Sequence, residues 1–235
     1  MRQSLELNAI RTTLAIMEDS IIFNLFRRSQ YPTNSLIYTP GGVPITNFNG
    51  SFLDYLLKGR ESLDATAGRY DDRREHPFFS LNRVYKKVAR TREEDEIAPP
   101  RVNRNADIKK AYIGAIKEIC KEGDDNEYGS CAILDINCLQ ELSNRVHLGE
   151  FVAESKFRKD RQIIEPLLKT DNVDGLVEAL RDKTVELRVY ERVKEKGKRY
   201  NLNPEFIGSF YVNQIIPLTI EVEVEYLRTR TERGN

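Results

Sequence analysis

A chain of 235 residues with 37 Lys plus Arg against 37 Asp plus Glu has no net field to draw it onto nucleic acid or an anionic membrane, so any recognition of an anion must be local. At 40% hydrophobic content it is long enough to bury a core as one domain over 1–235, while the lack of an apolar leader or of a run of about 18 apolar residues points to a cytoplasmic protein. Cys120, Cys131 and Cys138 are odd in number and lack a CxxC spacing, so they read as reduced, partly buried thiols rather than a disulfide framework or a zinc site.

From Leu7 to Arg28 the apolar residues Leu7, Ile10, Leu14, Met17, Ile21 and Leu25 step by three and four, which predicts a helix. Residues 31–49 collect Pro32, Pro40, Gly41, Gly42 and Pro44 and read as an irregular connection. Helical spacing returns from Ser51 to Arg69, whereas 70–104 is highly charged, contains Pro77, Pro99 and Pro100, and reads as a loop with room for a short helix. Further on, a helix is expected over Asp107 to Lys121, a break over Lys121 to Gly129, and a longer helical pattern from Ser130 to about Lys159. Another helical stretch follows from Asp171 to Lys196, then a turn from Gly197 to Pro204.

The last element is ambiguous, because TIEVEVEY at 219–226 alternates apolar and charged residues as a half-buried strand does. Against a strand, Val212, Ile216, Thr219, Glu223 and Tyr226 share one helical stripe, and the chain offers few segments to pair with it. A helix started or kinked by Pro217 is preferred, which makes the fold all-α, a multi-helix bundle.

Several charges fall inside apolar stripes, where a solvated face is the usual home of charge. Cys138, Leu142, Arg145, Gly149, Val152 and Lys156 run along one face, and at about 100° per residue Lys156 returns to within roughly 20° of Arg145. Arg11 lies between Leu7 and Leu14, Asp182 and Glu186 share a face with Val189 and Val193, and Glu223 shares one with Ile216 and Tyr226. Buried charge is costly unless it meets its opposite, so these groups converge on each other or on a bound ligand. On spacing alone an internal salt-bridge network is the better of those two readings.

The segments that go further are IRTTLAIMEDSIIF at 10–23, NGSFLDY at 49–55, CLQELSNRVHLGEFVAESKF at 138–157 and PLTIEVEVEYL at 217–227. In these long, jointly ordered motifs the chain resembles the all-helical chorismate mutases of fungi and plants almost end to end. The resemblance implies a homodimeric, cofactor-free enzyme that converts chorismate to prephenate on the way to phenylalanine and tyrosine. It further implies an active site of Arg11, Arg145, Lys156, Asp182, Glu186, Thr219 and Glu223. Position 182 departs from the fungal form, which has Asn there.

The chemistry suits these residue types. A unimolecular Claisen rearrangement requires no nucleophile or metal, only a folded substrate conformer and a field matched to the transition state. Arg11 and Arg145 would clamp the two carboxylates of chorismate through planar guanidinium forks. Lys156 and a protonated Glu223 would donate to the ether oxygen as its bond breaks, Glu186 would accept from the ring hydroxyl, and Thr219 would donate to a carboxylate.

The same resemblance implies an effector site for tyrosine as inhibitor and tryptophan as activator, matched here by Arg69, Gly129 and Ser130. A neighbouring family Arg is replaced by Gly68, a Thr by Ile133, and Asn203 stands where a switch Thr would be, so weak or altered control is expected. A non-catalytic helical relative, acting as an amino-acid-binding or protein-interaction module, is the alternative that the intact Arg11, Arg145, Lys156, Glu186 and Glu223 argue against. His147 reads as a structural histidine, and KEKGKR at 194–199 as a solvated helix end rather than a nucleic-acid patch.

Overall fold

Four short polar side chains decide where helices begin in this chain, each accepting a backbone N–H that the first turn would otherwise leave without a partner. Ser51 caps through Asp54 N at 3.1 Å, Asn172 through Gly175 N at 2.9 Å, Asp182 through Val185 N at 3.1 Å, and Asn203 through Glu205 N and Phe206 N at 3.1 and 3.3 Å. The computed structural model describes residues 5–81, 97 and 102–231. In chain order its helices are α1 (Leu7–Ser29), α2 (Phe52–Thr66), α3 (Asn105–Ile119), α4 (Tyr128–His147), α5 (Gly149–Lys159), α6 (Arg161–Lys169), α7 (Val173–Leu180), α8 (Lys183–Lys198), α9 (Pro204–Phe210) and α10 (Ile216–Thr231). A 3-10 turn covers Ser35–Tyr38, another Arg69–Asp71, and a π-helical turn Tyr211–Ile215. Among the described residues there is no strand, and no helix is long and apolar enough to cross a membrane.

The all-α reading holds, including the helix at 216–231, but the segmentation is finer than apolar spacing suggested. The pattern from Ser130 to Lys159 is two helices meeting at Leu148, whose backbone stays helical (φ −58°, ψ −13°), so the shared face survives the break. The stretch from 171 to 196 is likewise two helices, interrupted where Asp182 leaves helical geometry (φ −136°) to cap α8. Two helices were missed, α6 with Pro166 inside it and α9 with Pro204 in its first turn. Pro217 is the second residue of α10, as a proline starting that helix would be, and the π turn at Tyr211–Ile215 runs directly into it. Between 70 and 81 there is no α-helix, and a helix in the remainder of 70–104 falls mostly outside the described residues.

Every helix contributes to one cluster of buried apolar side chains, from Ile10 and Ile21 on α1 to Val222 and Leu227 on α10. Within it α1 lies along α4, and α10 lies along α5. The second contact is close because residue 149 is glycine: a Cβ there would stand 2.8 Å from the Thr219 carbonyl oxygen. At the far end of α1 a buried ion pair joins three helices and a loop. Asp135 accepts from Arg28 Nε at 2.8 Å, Tyr38 Oη at 2.8 Å and Tyr112 Oη at 2.7 Å.

The three cysteines are free and buried, Cys131 and Cys138 completely, more deeply than the partial burial expected of them. His147 is structural: its Nε2 accepts from Arg104 N at 2.9 Å, leaving Nδ1 to donate to Ser143 O at 2.8 Å. The basic run at 194–199 is only partly solvated. Lys196 is buried, with its ammonium on Glu18 and Asp19 at 3.2 and 3.0 Å, because α8 lies along α1 at that level.

Candidate active site

All seven residues singled out for the active site line one cavity of about 490 Å³, enclosed by α1, α4, α5, α8, α10 and the end of α7. Arg11 comes from α1, Arg145 from the last turn of α4, Lys156 from α5, Asp182 and Glu186 from the start of α8, and Thr219 and Glu223 from α10. Leu7, Leu14, Val152, Val185, Val189, Ile216 and Ile220 supply apolar wall between the charges. The break at Leu148 leaves Arg145 and Lys156 facing the same space.

Most of the charged groups hold one another. Lys156 Nζ donates to Glu223 Oε2 at 2.8 Å and also to the Leu180 carbonyl at the end of α7. Arg11 Nη2 reaches Asp182 Oδ2 at 3.3 Å, so Asp182 caps α8 with one oxygen and pairs with the other. Glu186 is clasped by Arg181 rather than left open, with Nε and Nη2 at 2.9 and 2.8 Å from its two oxygens. Asp182 is therefore not part of a helical stripe, since it lies ahead of α8.

Arg145 differs from the others. It is 4% exposed, Nη1 donates to Thr219 Oγ1 at 3.2 Å, and its Nε is buried without a hydrogen-bond partner. Thr219 in turn donates its hydroxyl to the Ile215 carbonyl at 2.7 Å, so in this arrangement it orients Arg145 and has no proton free for a ligand. Burial pulls the Arg145 pKa down, yet a guanidinium stays charged across the working range. Burial pushes the Glu223 carboxyl above the ordinary range, more than the neighbouring Lys156, Arg145 and Arg11 pull it down.

The cavity wall is locally basic in a chain of zero net charge. The cations Arg11, Arg145, Lys156, Arg181, Arg188 and Arg192 outnumber the carboxyl groups of Glu18, Asp182, Glu186 and Glu223 by two, and the positive excess is larger by one when Glu223 holds its proton. Such an excess suits a dianion, and a cleft with apolar walls focuses the field. Among the described residues no group of three His, Cys, Asp or Glu is placed to hold a metal ion.

Sequence reasoning missed Glu18, Arg181, Arg188 and Arg192. Glu18 is fully buried, held by Arg192 through Nε and Nη2 at 2.7 and 2.6 Å and by Lys196. Its signal was available, since Glu18 follows Leu7, Arg11 and Leu14 on the same stripe. Arg192 carried a comparable signal, three residues after the buried Val189 and seven after Val185, whereas Arg181 lies in the link between α7 and α8 and on no stripe.

The residues matched to an effector site are not brought together within one protomer. Arg69 is held by Asp64 at 2.9 Å, Glu75 at 2.9 Å and Gln140 at 3.0 Å. Gly129 and Ser130 lie in the first turn of α4, and the ten residues from Ser130 to Gln140 span about 15 Å of helix. Gly68 has its own local reason, a left-handed φ of +76° after the end of α2, and Asn203 has one as the cap of α9.

Comparison with known proteins agrees with this geometry. Residues 127–224 match the family model described as chorismate mutase type II. The chorismate mutase of Saccharomyces cerevisiae is 38% identical over 97% of this chain and 96% of its own length. Among solved structures, the chorismate mutase of Candida albicans in complex with L-tryptophan superposes with a TM-score of 0.93 at 33% identity, covering 98% of this chain and 94% of its own. The structure of AtCM1 with tyrosine bound in its allosteric site gives 0.82 at 37% identity, covering 97% and 98% of the two chains. With the helical order, the cavity and the length of these matches in agreement, the chain belongs to the chorismate mutase family.

Proposed function

We propose that chorismate binds in the cavity between α1, α4, α5, α8 and α10 and rearranges there to prephenate. The observation that carries this reading is Arg145, a buried cation with an unpartnered N–H in a wall that has positive charge in excess. A dicarboxylate supplies what that wall lacks.

Arg145 and Arg11 hold the two carboxylates, Arg11 leaving Asp182 to do so. Holding them also folds the enolpyruvyl side chain over the ring, which brings the carbons that will bond into contact and removes much of the entropic part of the barrier. As the C–O bond lengthens, negative charge grows on the ether oxygen, and Lys156 and the protonated Glu223 donate to it from preorganised positions. Glu186 accepts from the ring hydroxyl and Asp182 helps place the ring. Thr219 acts chiefly by orienting Arg145, and it reaches a carboxylate itself only if its hydroxyl turns away from Ile215.

The same reading carries a one-domain, cytoplasmic homodimer. Its support is apolar surface on α2, the 3-10 turn and the start of α4, where Tyr55, Leu63, Leu36 and Ile133 are 44–67% exposed. Arg69 from one copy and Gly129 and Ser130 from the other would then share a site for tyrosine or tryptophan. The catalytic reading is tested by titration with a bicyclic dicarboxylate ether that mimics the folded transition state. Binding at least about a hundredfold tighter than chorismate is expected for catalysis, and binding no tighter than chorismate would favour a non-catalytic helical module.

A further inference from the structure

Arg181 is one of the cations of the cavity wall. It occupies the extended residue between α7 and α8 (φ −75°, ψ 145°), lines the cavity, and grips both oxygens of Glu186. Its neighbour Asp182 is fastened to the first turn of α8 through Val185 N, so the backbone itself delivers Arg181 to Glu186 one turn along. The grip is a planar fork on a planar carboxylate, which fixes the plane of the acceptor as well as its charge. An ionised carboxylate has about four lone-pair sites, and the fork occupies two of them.

We propose that Arg181 is a positioning residue that sets the enzyme's selectivity for the ring hydroxyl: by holding both Glu186 oxygens it keeps that carboxylate turned so that its free lone pairs accept from the substrate's hydroxyl. The inference rests on the reading of the cavity as the chorismate site. The side chains are 37% and 14% exposed, so as a structural ion pair the contact contributes little to folding. Its effect belongs in substrate discrimination.

The test compares kcat/KM for chorismate and for chorismate methylated on its ring hydroxyl, which cannot donate. Arg181→Gln should lower kcat/KM about tenfold more for chorismate than for the methyl ether, and in a Glu186→Gln background it should cost no more on chorismate than it costs on the methyl ether. Arg181→Lys, with the charge but not the fork, should fall between. Equal losses on both substrates, or additive losses with Glu186→Gln, would assign Arg181 a general structural or electrostatic role and overturn the proposal. A wild-type protein that turns over chorismate alongside an unaffected Arg181→Gln overturns this inference alone, whereas an inactive wild type removes the proposed function and this inference together.

Discussion

Glu223 and Lys156 meet at 2.8 Å on the wall of a cavity whose other charges are nearly all engaged. The carboxyl is buried and its pKa is raised, so it keeps its proton to higher pH than an exposed glutamate. Only the protonated form donates to an ether oxygen. Activity is therefore full below that raised value and falls as pH rises through it. In Glu223→Gln the amide donates at every pH, and a profile of kcat against pH should lose this fall; a Gln variant with the wild-type profile would remove Glu223 from the role. Glu223→Ala, which has no donor, should lose about 10² to 10³ in kcat. At this scale the sequence was most legible. Arg11, Arg145, Lys156 and Glu223 could be found as charges in apolar stripes, whereas Arg181 could not. It lies in the link between α7 and α8, and only the tertiary fold turns it toward the cavity.

Between elements, the site depends on how closely α5 and α10 approach. Gly149 is where they touch, and a methyl group there meets the Thr219 carbonyl at 2.8 Å and the Thr219 and Val222 side chains at 3.2 Å. Two helix backbones cannot give way as a flexible side chain does. Gly149→Ala should destabilise the protein by about 1–3 kcal/mol in urea unfolding. It should also lower kcat/KM by moving Thr219 off Arg145, and wild-type values of both would show that the helices adjust freely. The helices themselves were legible where apolar spacing ran unbroken, as in α1, α2, α3 and α10. Boundaries at Leu148 and Asp182 were not, because a stripe keeps its phase across a short break and spacing alone does not register a cap. The strand-like alternation at 219–226 was a coincidence of buried valines next to glutamates: Val222 and Glu223 are both buried, which a half-exposed strand would not permit.

Over the whole molecule, charge is balanced and recognition is local. The excess of positive charge around one cavity does what a net charge would do less selectively. Under the proposed pairing, control by effectors belongs to two chains together and is the part least legible in a single sequence, since Arg69 sits beside Gln140, far along α4 from Gly129 and Ser130. Gly68 places a left-handed turn where a guanidinium would otherwise stand, which removes one polar contact from any amino-acid pocket there. Tyrosine should inhibit weakly and tryptophan relieve little, as read from initial rates across effector concentration; strong, saturable inhibition by tyrosine at low concentration would show that other residues replace the missing contacts. The most direct measurement is the loss of chorismate absorbance on adding the purified protein, run beside Arg145→Ala. Rapid loss with prephenate as product, reduced at least about a hundredfold in the variant, is the expected result, and no acceleration over buffer, or equal rates for the two proteins, would contradict it.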